Sequence, residues 1–223
     1  MSNVYVCEEV EAIRTMHRDV LQQGYTVNSV YDWVAKQAET LLAEHAAGNK
    51  AVLFHLRCWL PELSSESDKS VLSNELSVDQ AQLCMAREYG FAGWHEVLAK
   101  QDEAFEPQFE HAVDFALNGQ ADLLQTALNQ NPNLVNQVSP FGHGAGLLHY
   151  MAANGVESHR QVTPQNALNT VQLLFESGCD VNATANMYGG NSTVLGLWET
   201  SAHPAKAGVQ AEVSQYLIKN GAV

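Results

Sequence analysis

Two stretches in the C-terminal half decide the fold: Leu148-His149-Tyr150-Met151-Ala152-Ala153-Asn154-Gly155 and Val171-Gln172-Leu173-Leu174-Phe175-Glu176-Ser177-Gly178-Cys179-Asp180-Val181-Asn182-Ala183. Apolar residues recur at helical spacing in both stretches. Each apolar run is followed by a glycine, Gly155 in the first stretch and Gly178 in the second, as the end of a helix commonly is. The two stretches therefore predict two helices.

Helical spacing of apolar residues continues through the rest of the chain, and strand signals are scarce. The prediction is an almost entirely helical fold. Helices should occupy most of residues 30 to 60, 77 to 101 and 109 to 130, and helix pairs should flank the segments 156–165 and 202–210. Ser77 and Gln80 have capping-box spacing at the start of one helix. The Ser- and charge-rich stretch Ser64 to Ser70 predicts a loop.

An internal repeat is suggested by the spacing of glycine and proline. Gly48 and Pro61 are 13 residues apart, and so are Gly119 and Pro132. Each interval holds one short helical pattern, and an offset of 71 residues aligns the two intervals. The alignment indicates related helix-turn-helix units.

The two opening stretches resemble the inner helix, and the outer helix with its finger, of an ankyrin repeat. The ankyrin pattern is T-P-L-H-x-A-A-x-x-G followed by L-L-x-x-G-A-D-V-N-A, and residues 178–183 match its end closely. A preceding unit runs from Phe109 to Gln137 and a following one from Thr193 to Ala222. The chain also resembles a set of bacterial ankyrin-repeat proteins that carry an N-terminal helical region ending in a segment like Ala81 to Trp94.

This resemblance implies an all-α fold in which an ankyrin-type helix-pair solenoid follows an N-terminal helical region. The implied boundaries are residues 1–104 for the helical region and 105–223 for about three repeats. The second and third units exceed the usual length of about 33 residues. The extra residues are Val156 to Gln165 and Ala202 to Gln210, which we expect to project as neighbouring loops, and a stretched finger with Tyr188-Gly189-Gly190 at its tip.

Composition narrows the classes of partner. The 223 residues carry 11 Lys and Arg against 25 Asp and Glu, a formal net charge of -14, which repels phosphate backbones and anionic lipid. We therefore expect a basic or neutral protein partner, no nucleic acid and no membrane. The first residues contain no signal-peptide or membrane-spanning run, so we expect a cytoplasmic protein. The four cysteines are widely spaced, which favours free thiols.

Residues that could carry chemistry do not form a recognised motif. Nine histidines invite a metal hypothesis, but no His lies four residues from another. His149 occupies the ankyrin position at which imidazole binds the backbone of a neighbouring finger, which is a structural role. There is no G-x-S-x-G elbow, P-loop or dinucleotide fingerprint. We therefore predict no catalytic residue, metal ligand or cofactor, and the protein is more typical of a scaffold than of an enzyme.

Three functions remain open. The leading hypothesis is a non-catalytic scaffold for protein–protein interaction. The alternative is a small-molecule, metal-binding or enzymatic site between the two inserted segments. A third is assembly of identical chains through the C-terminal repeat. The candidate binding residues are Glu157, His159, Arg160, Tyr188, His203, Lys206 and Gln210. A solvated loop surface is the simpler interpretation of the residues in the inserted segments.

Overall fold

The computed structural model describes residues 3–223, and helices dominate it. Helices make up 61% of the structure, and the strands within residues 3–223 are few and short, so of the predicted almost entirely helical fold the coarser part, a mostly helical fold, is confirmed. The chain divides into two compact units. One is Glu8–Phe105, and the other contains Glu106–Val223 together with residues 3–7, which the sequence had assigned to the N-terminal region. Within residues 3–223, no helix combines the length and apolar character needed to cross a membrane.

The unit Glu8–Phe105 is a bundle of helices around α3 and α6. In chain order, its helices are α1 (Glu8–Met16), α2 (Arg18–Gln23), α3 (Val30–Ala46), α4 (Val52–Trp59), α5 (Asp68–Ser73), α6 (Val78–Glu88) and α7 (Trp94–Leu98). α6 packs against both α3 and α4. The buried indole of Trp33 donates a hydrogen bond to the Tyr89 hydroxyl at 2.9 Å, which satisfies its only polar atom inside the core.

Local sequence signals account for several helix ends in this unit. Ser77 and Gln80 form the predicted capping box at the start of α6. The predicted loop at Ser64 to Ser70 is wrong in its second half, because α5 begins at Asp68. Ser67 caps that helix by accepting a hydrogen bond from the backbone N–H of Ser70. Serine here serves as a helix cap rather than as a loop former.

The unit containing Glu106–Val223 has two rows of helices. Its helices are α8 (Pro107–Leu117), α9 (Ala121–Gln130), α10 (Leu147–Met151), α11 (Ala167–Glu176), α12 (Val194–Thr200), α13 (Ala202–Ala207) and α14 (Gln210–Lys219). In one row α10 contacts α8 and α12, and in the other α11 contacts α9 and α14. Contacts between α8 and α9, α10 and α11, and α12 and α14 join the rows. The predicted helices at 109–130, and those flanking both inserted segments, are confirmed.

Short strands complete this unit. β1 (Val4–Tyr5) pairs antiparallel with β2 (Thr163–Pro164), a pairing that the sequence did not predict. β3 (Thr184–Met187) and β4 (Gly190–Thr193) form an antiparallel hairpin. The hairpin coincides with the stretched finger proposed from the sequence. The segment 202–210, expected to be a loop, instead contains α13, which ends at Gly208 in the left-handed conformation.

Side-chain bonds to backbone groups connect the ends of successive helix pairs. Asn136 donates to the carbonyl oxygen of Gly178 and accepts from the N–H of Asp180. Asn182 makes the same two bonds to Gly221 and Val223. These asparagines lie at matching places, after α9 and after α11, and each holds the backbone that follows the next helix of the same row.

His149 has the structural role predicted for it. Its Nδ1 atom accepts a hydrogen bond from the N–H of Gly146, and its Nε2 atom lies 3.1 Å from the carbonyl oxygen of Ala183. Burial lowers the pKa of His149, which favours the neutral ring that can accept at one nitrogen and donate at the other. The imidazole thus supplies the half of a capping box in which the N3 side chain accepts from the N–H of the N-cap residue, and it ties α10 to the segment after α11.

Candidate functional site

The first inserted segment is buried, not solvent-exposed. Glu157 is fully buried, and His159 and Arg160 are only 8% and 3% exposed. The three residues Ser158–Arg160 form a 3₁₀ turn. The expectation of a solvated loop surface here is therefore wrong, because the turn directs charged side chains to partners of opposite charge inside the protein.

Arg160 is the centre of an ionic cluster. Its Nη1 atom lies 2.8 Å from Oε2 of Glu110 and 3.8 Å from Oε1 of Glu157, and its Nη2 atom lies 3.3 Å from Oδ1 of Asp114. Glu110 and Asp114 are about one turn apart on α8, so one guanidinium reaches both carboxylates. Asp114 is partly exposed, whereas Glu110 is fully buried. Arg160 therefore fastens the inserted segment to α8.

Glu157 is held from a second side by Tyr150 and His143. The Tyr150 hydroxyl donates to Oε1 of Glu157 at 3.1 Å, and Nε2 of His143 lies 3.6 Å from the same oxygen. Nδ1 of His143 accepts from the N–H of Ala145, so the proton of a neutral ring is on Nε2 and faces the carboxylate. The Arg160 guanidinium lies 5.3 Å from the centroid of the Tyr150 ring, within cation–π range.

Burial and charge shift the two glutamates in opposite directions. Burial raises the pKa of Glu110, and the guanidinium of Arg160 offsets only part of this effect. Burial would also raise the pKa of Glu157, but the imidazole of His143 and the charge of Arg160 outweigh it and lower the pKa to about 2. Glu157 is therefore an ionised hydrogen-bond acceptor at neutral pH.

This cluster is suited to fixing the fold and poorly suited to catalysis. Glu110, Tyr150 and Glu157 are fully buried. A substrate could reach them only by displacing packed side chains. Such buried charges are costly to desolvate and are tolerated when they are paired. The cluster therefore holds the inserted segment in one position between α8 and α10.

The lowered pKa of Glu157 predicts that acid weakens the fold. A carboxyl group with a depressed pKa in the folded state stabilises it above the unfolded pKa, and this contribution is lost as the pH falls through the folded pKa. With a Glu157 pKa of 4.5 in the unfolded chain and about 2 in the folded chain, the stabilisation lost between pH 7 and pH 3 is about 2 kcal/mol. Urea unfolding at both pH values should therefore show a smaller pH difference for Glu157→Gln than for the unmodified chain.

Glu110→Gln is the matched control, because its raised pKa works in the opposite sense. A group with a raised pKa contributes stability at low pH that is lost as the pH rises through the folded value. Removing Glu110 should therefore make the loss of stability in acid larger. Equal pH differences for the unmodified chain and Glu157→Gln would contradict the assigned role of Glu157.

The residues just before the cluster hold the β3–β4 hairpin. The Tyr188 hydroxyl donates to Oδ1 of Asn154, whose Nδ2 atom donates to the carbonyl oxygen of Leu197 and to Oγ1 of Thr200. Gly155 has a φ of +74°, and a Cβ at this position would lie 2.6 Å from the sulfur of Met187. The close approach of the hairpin therefore requires glycine or a shift of the Met187 side chain.

Tyr188 stands at the exposed tip of this hairpin. Met187 and Gly190 are paired, which leaves Tyr188 and Gly189 as a two-residue loop. Both loop residues have positive φ values, 53° and 78°, as in a type I′ turn. Tyr188 is 72% exposed, and within residues 3–223 only Val223 is more exposed among the large aromatic and aliphatic side chains.

The identity of residue 188 conflicts with its backbone conformation. Type I′ turns favour Asn-Gly, and a bulky residue with positive φ is strained. Departures from local preference of this kind are expected at functional sites. An exposed aromatic ring is also the residue type most often found at the energetic centre of a protein interface. The hairpin tip is therefore the candidate binding site.

Replacement of Tyr188 by asparagine should separate binding from stability. Asn relieves the strain at positive φ, while the hydrogen bond to Asn154 is lost, so the two effects oppose each other. The free energy of unfolding of Tyr188→Asn should stay within about 1 kcal/mol of that of the unmodified chain. Urea titration measures it, and a loss of more than about 2 kcal/mol would make Tyr188 a structural residue.

The other candidates lie on or beside α13. The ring of His203 is 6.4 Å from that of Tyr5, and Lys206 is exposed. The side-chain amide of Gln210 donates to the carbonyl oxygens of Trp198, Glu199 and Ser201, and the buried Trp198 indole donates back to the Gln210 carbonyl. Gln210 thus satisfies the carbonyl groups at the end of α12. Binding by His203, Lys206 or Gln210 stays a prediction.

No metal centre emerges from the described part of the chain. Among residues 3–223, no three His, Cys, Asp or Glu side chains are grouped closely enough to hold a metal ion. None of the four cysteines forms a disulfide; Cys84 is buried, Cys7 and Cys179 are partly exposed, and Cys58 is exposed.

Sequence reasoning missed Glu110, Asp114 and Asn154. A signal for Glu110 was present, because it lies on the same face of α8 as Val113 and Leu117, which are buried. A carboxylate on an apolar helix face requires a buried cationic partner. Asp114 lies four residues further along the same helix. No comparable signal marks Asn154, whose partners are distant in sequence.

Comparison with known proteins gives no relative in which this arrangement of residues could be compared. The sequence matches no protein-family model, and searches of curated proteins and of solved structures gave no match.

Proposed function

We propose that Glu106–Val223 is an ankyrin-type stack of helix pairs and that the protein is a non-catalytic scaffold for protein–protein interaction. The observation that carries the proposal is the hairpin tip, where Tyr188 is exposed and has a positive φ value. Its hydroxyl donates a hydrogen bond to Asn154, which lies just before the segment that the buried Arg160 cluster fixes. A rigidly held aromatic side chain loses little entropy on binding, which favours recognition.

The packing of the helices supports the repeat interpretation. The pairs α8 with α9, α10 with α11 and α12 with α14 each contribute one helix to each row. The matching bonds of Asn136 and Asn182 and the bond from His149 to Ala183 are the kind of periodic contact expected between stacked repeats. Membership of the bacterial ankyrin-repeat proteins, which the sequence resembles, is part of this proposal.

The partner should be a basic or neutral protein. The chain carries a formal charge of -14, so association with an acidic partner would be opposed by long-range repulsion. The partner surface should offer a shallow apolar recess for the Tyr188 ring, with donors or acceptors for Asn154 and Thr200 around it. Cytoplasmic localisation belongs to the same proposal.

The alternative, a small-molecule or enzymatic site between the inserted segments, has less support. Arg160 of the first segment is paired with Glu157 of the same segment and with Glu110 of α8 inside the protein, and Gln210 of the second segment caps α12. Assembly of identical chains through the C-terminal repeat has one favourable observation, the 54% exposure of Ile218 on α14. Substitution of Ile218 therefore serves as a test of that surface.

Affinity capture with matched variants tests the proposal. The unmodified chain, Tyr188→Asn and Ile218→Ala are immobilised at equal density and exposed to lysate of the native host, and the retained proteins are identified by mass spectrometry. We expect proteins retained by the unmodified chain and by Ile218→Ala to be lost with Tyr188→Asn. Retention of the same proteins by all three would overturn the assignment of Tyr188, and loss only with Ile218→Ala would favour the C-terminal surface.

A further inference from the structure

β1 and β2 form a short strand pair that joins residues far apart in the sequence. Val4 lies opposite Pro164 and Tyr5 opposite Thr163, and the N–H of Gln165 donates to the carbonyl oxygen of Asn3 at 2.8 Å. β1 is half-buried and packs with β2 against α13. Residues 3–7 group with Glu106–Val223, yet the chain passes directly from Cys7 into α1 of the other unit.

Few bonds hold β1 in this position. Each strand has two residues, and Pro164 has no N–H to donate to the ladder. Segments with short ladders and half-exposed side chains open at a much lower free energy than the core helices do. β1 should therefore detach locally while α8 to α14 stay folded.

Detachment of β1 would expose a surface suited to strand pairing. Thr163 and Pro164 are buried, and the backbone edge of β2 would lose its partner. An unpaired strand edge is a template for another extended segment. The segment that fits this edge is residues 3–6, in which Tyr5 faces His203 with ring centroids 6.4 Å apart.

We propose that β1 is an exchangeable strand and that a second copy of this chain docks on the β2 edge by donating its own residues 3–6. The exchanged dimer makes the same contacts as the monomer, so its main cost is the entropy of association. The intramolecular strand competes at an effective concentration of about 1 mM, so the exchanged fraction rises with protein concentration. This proposal is independent of the binding role of Tyr188.

Disulfide trapping between two different variants tests the exchange. One preparation carries Val4→Cys and the other Pro164→Cys, both with the exposed Cys58 replaced by serine. Directly opposed residues of an antiparallel pair lie within disulfide range, with Cα atoms about 4.5 to 5.5 Å apart. When the two variants are mixed and oxidised at about 1 mM, they should form a mixed disulfide dimer. Its yield should be several-fold greater than in a control mixture in which the second variant carries Leu123→Cys in place of Pro164→Cys.

A single chain with both Val4→Cys and Pro164→Cys supplies the reference for intramolecular pairing. At low concentration it should close within one chain. Closure of this double variant without a mixed dimer above the Leu123→Cys control would overturn the exchange, and failure of the double variant to close would overturn the pairing itself.

Sedimentation of chains without new cysteines provides a second readout. The full chain should show weak, concentration-dependent dimer formation that is lost when residues 2–6 are deleted and retained in Tyr188→Asn. Equal dimer formation with and without residues 2–6 would also overturn the proposal.

Discussion

Replacement of Arg160 by methionine should destabilise the protein by about 3 to 5 kcal/mol. Methionine fills most of the volume of the arginine stem but removes the charge that faces Glu110 and Glu157. The loss of one partner leaves a buried carboxylate without compensation, which costs far more than loss of a surface ion pair. Urea unfolding at pH 7 measures the change in the free energy of unfolding.

The cost of Arg160→Met should fall when the solution is made mildly acidic. Without the guanidinium, the pKa of buried Glu110 rises further, so protonation stabilises the folded variant at low pH and this gain is lost as the pH rises. Replacing Glu110 by leucine in the same chain should also recover part of the loss. Lys206→Met, which removes an exposed charge, should change the free energy of unfolding by less than about 0.5 kcal/mol. An equally small effect of Arg160→Met would contradict the role of the cluster.

Replacement of Leu174 by alanine should cost about 2 to 5 kcal/mol. Leu174 is fully buried in α11, which contacts α9, α10 and α14, so the cavity would be surrounded by helices of both rows. The cost combines lost apolar burial with an unfilled cavity. Thermal or urea unfolding gives the value.

Glu176→Ala is the control for Leu174→Ala, since it lies two residues along the same helix and is exposed. The two changes alter helix propensity in the same direction but differ in burial. A stability loss for Leu174→Ala no larger than that for Glu176→Ala would mean that α11 does not pack as described.

Much of the helical architecture was predictable because it depends on short-range patterns. The apolar spacing around Leu174, the capping box of Ser77 and the glycine stop at Gly178 act within a few residues, so each can be recognised in isolation. α13 was missed because Ala202 to Ala207 contains proline and histidine and lacks a clear apolar stripe, although proline is well tolerated in the first turn of a helix. β1 was missed because a two-residue strand carries no periodic signal.

The candidate site was harder to predict because its geometry depends on contacts between distant residues. Charge at Glu157 and Arg160 suggested solvent exposure, and only the fold reveals that Glu110, 50 residues before Arg160, is the partner of Arg160. Tyr188 was predictable as a finger tip from the neighbouring glycines. Its positive φ value and its bond to Asn154 were not, since both depend on how the hairpin meets the segment after α10.

Hydrogen–deuterium exchange on the complex with a captured partner tests the central claim most directly. If the scaffold binds through the hairpin tip, amides of residues 184–193 should become protected on binding, together with those around Asn154 and Thr200. The exchange rates of the amides in α9 and α13 should not change on binding. Protection confined to α13 or α14, with residues 184–193 exchanging as in the free protein, would contradict the assignment of the hairpin as the binding surface.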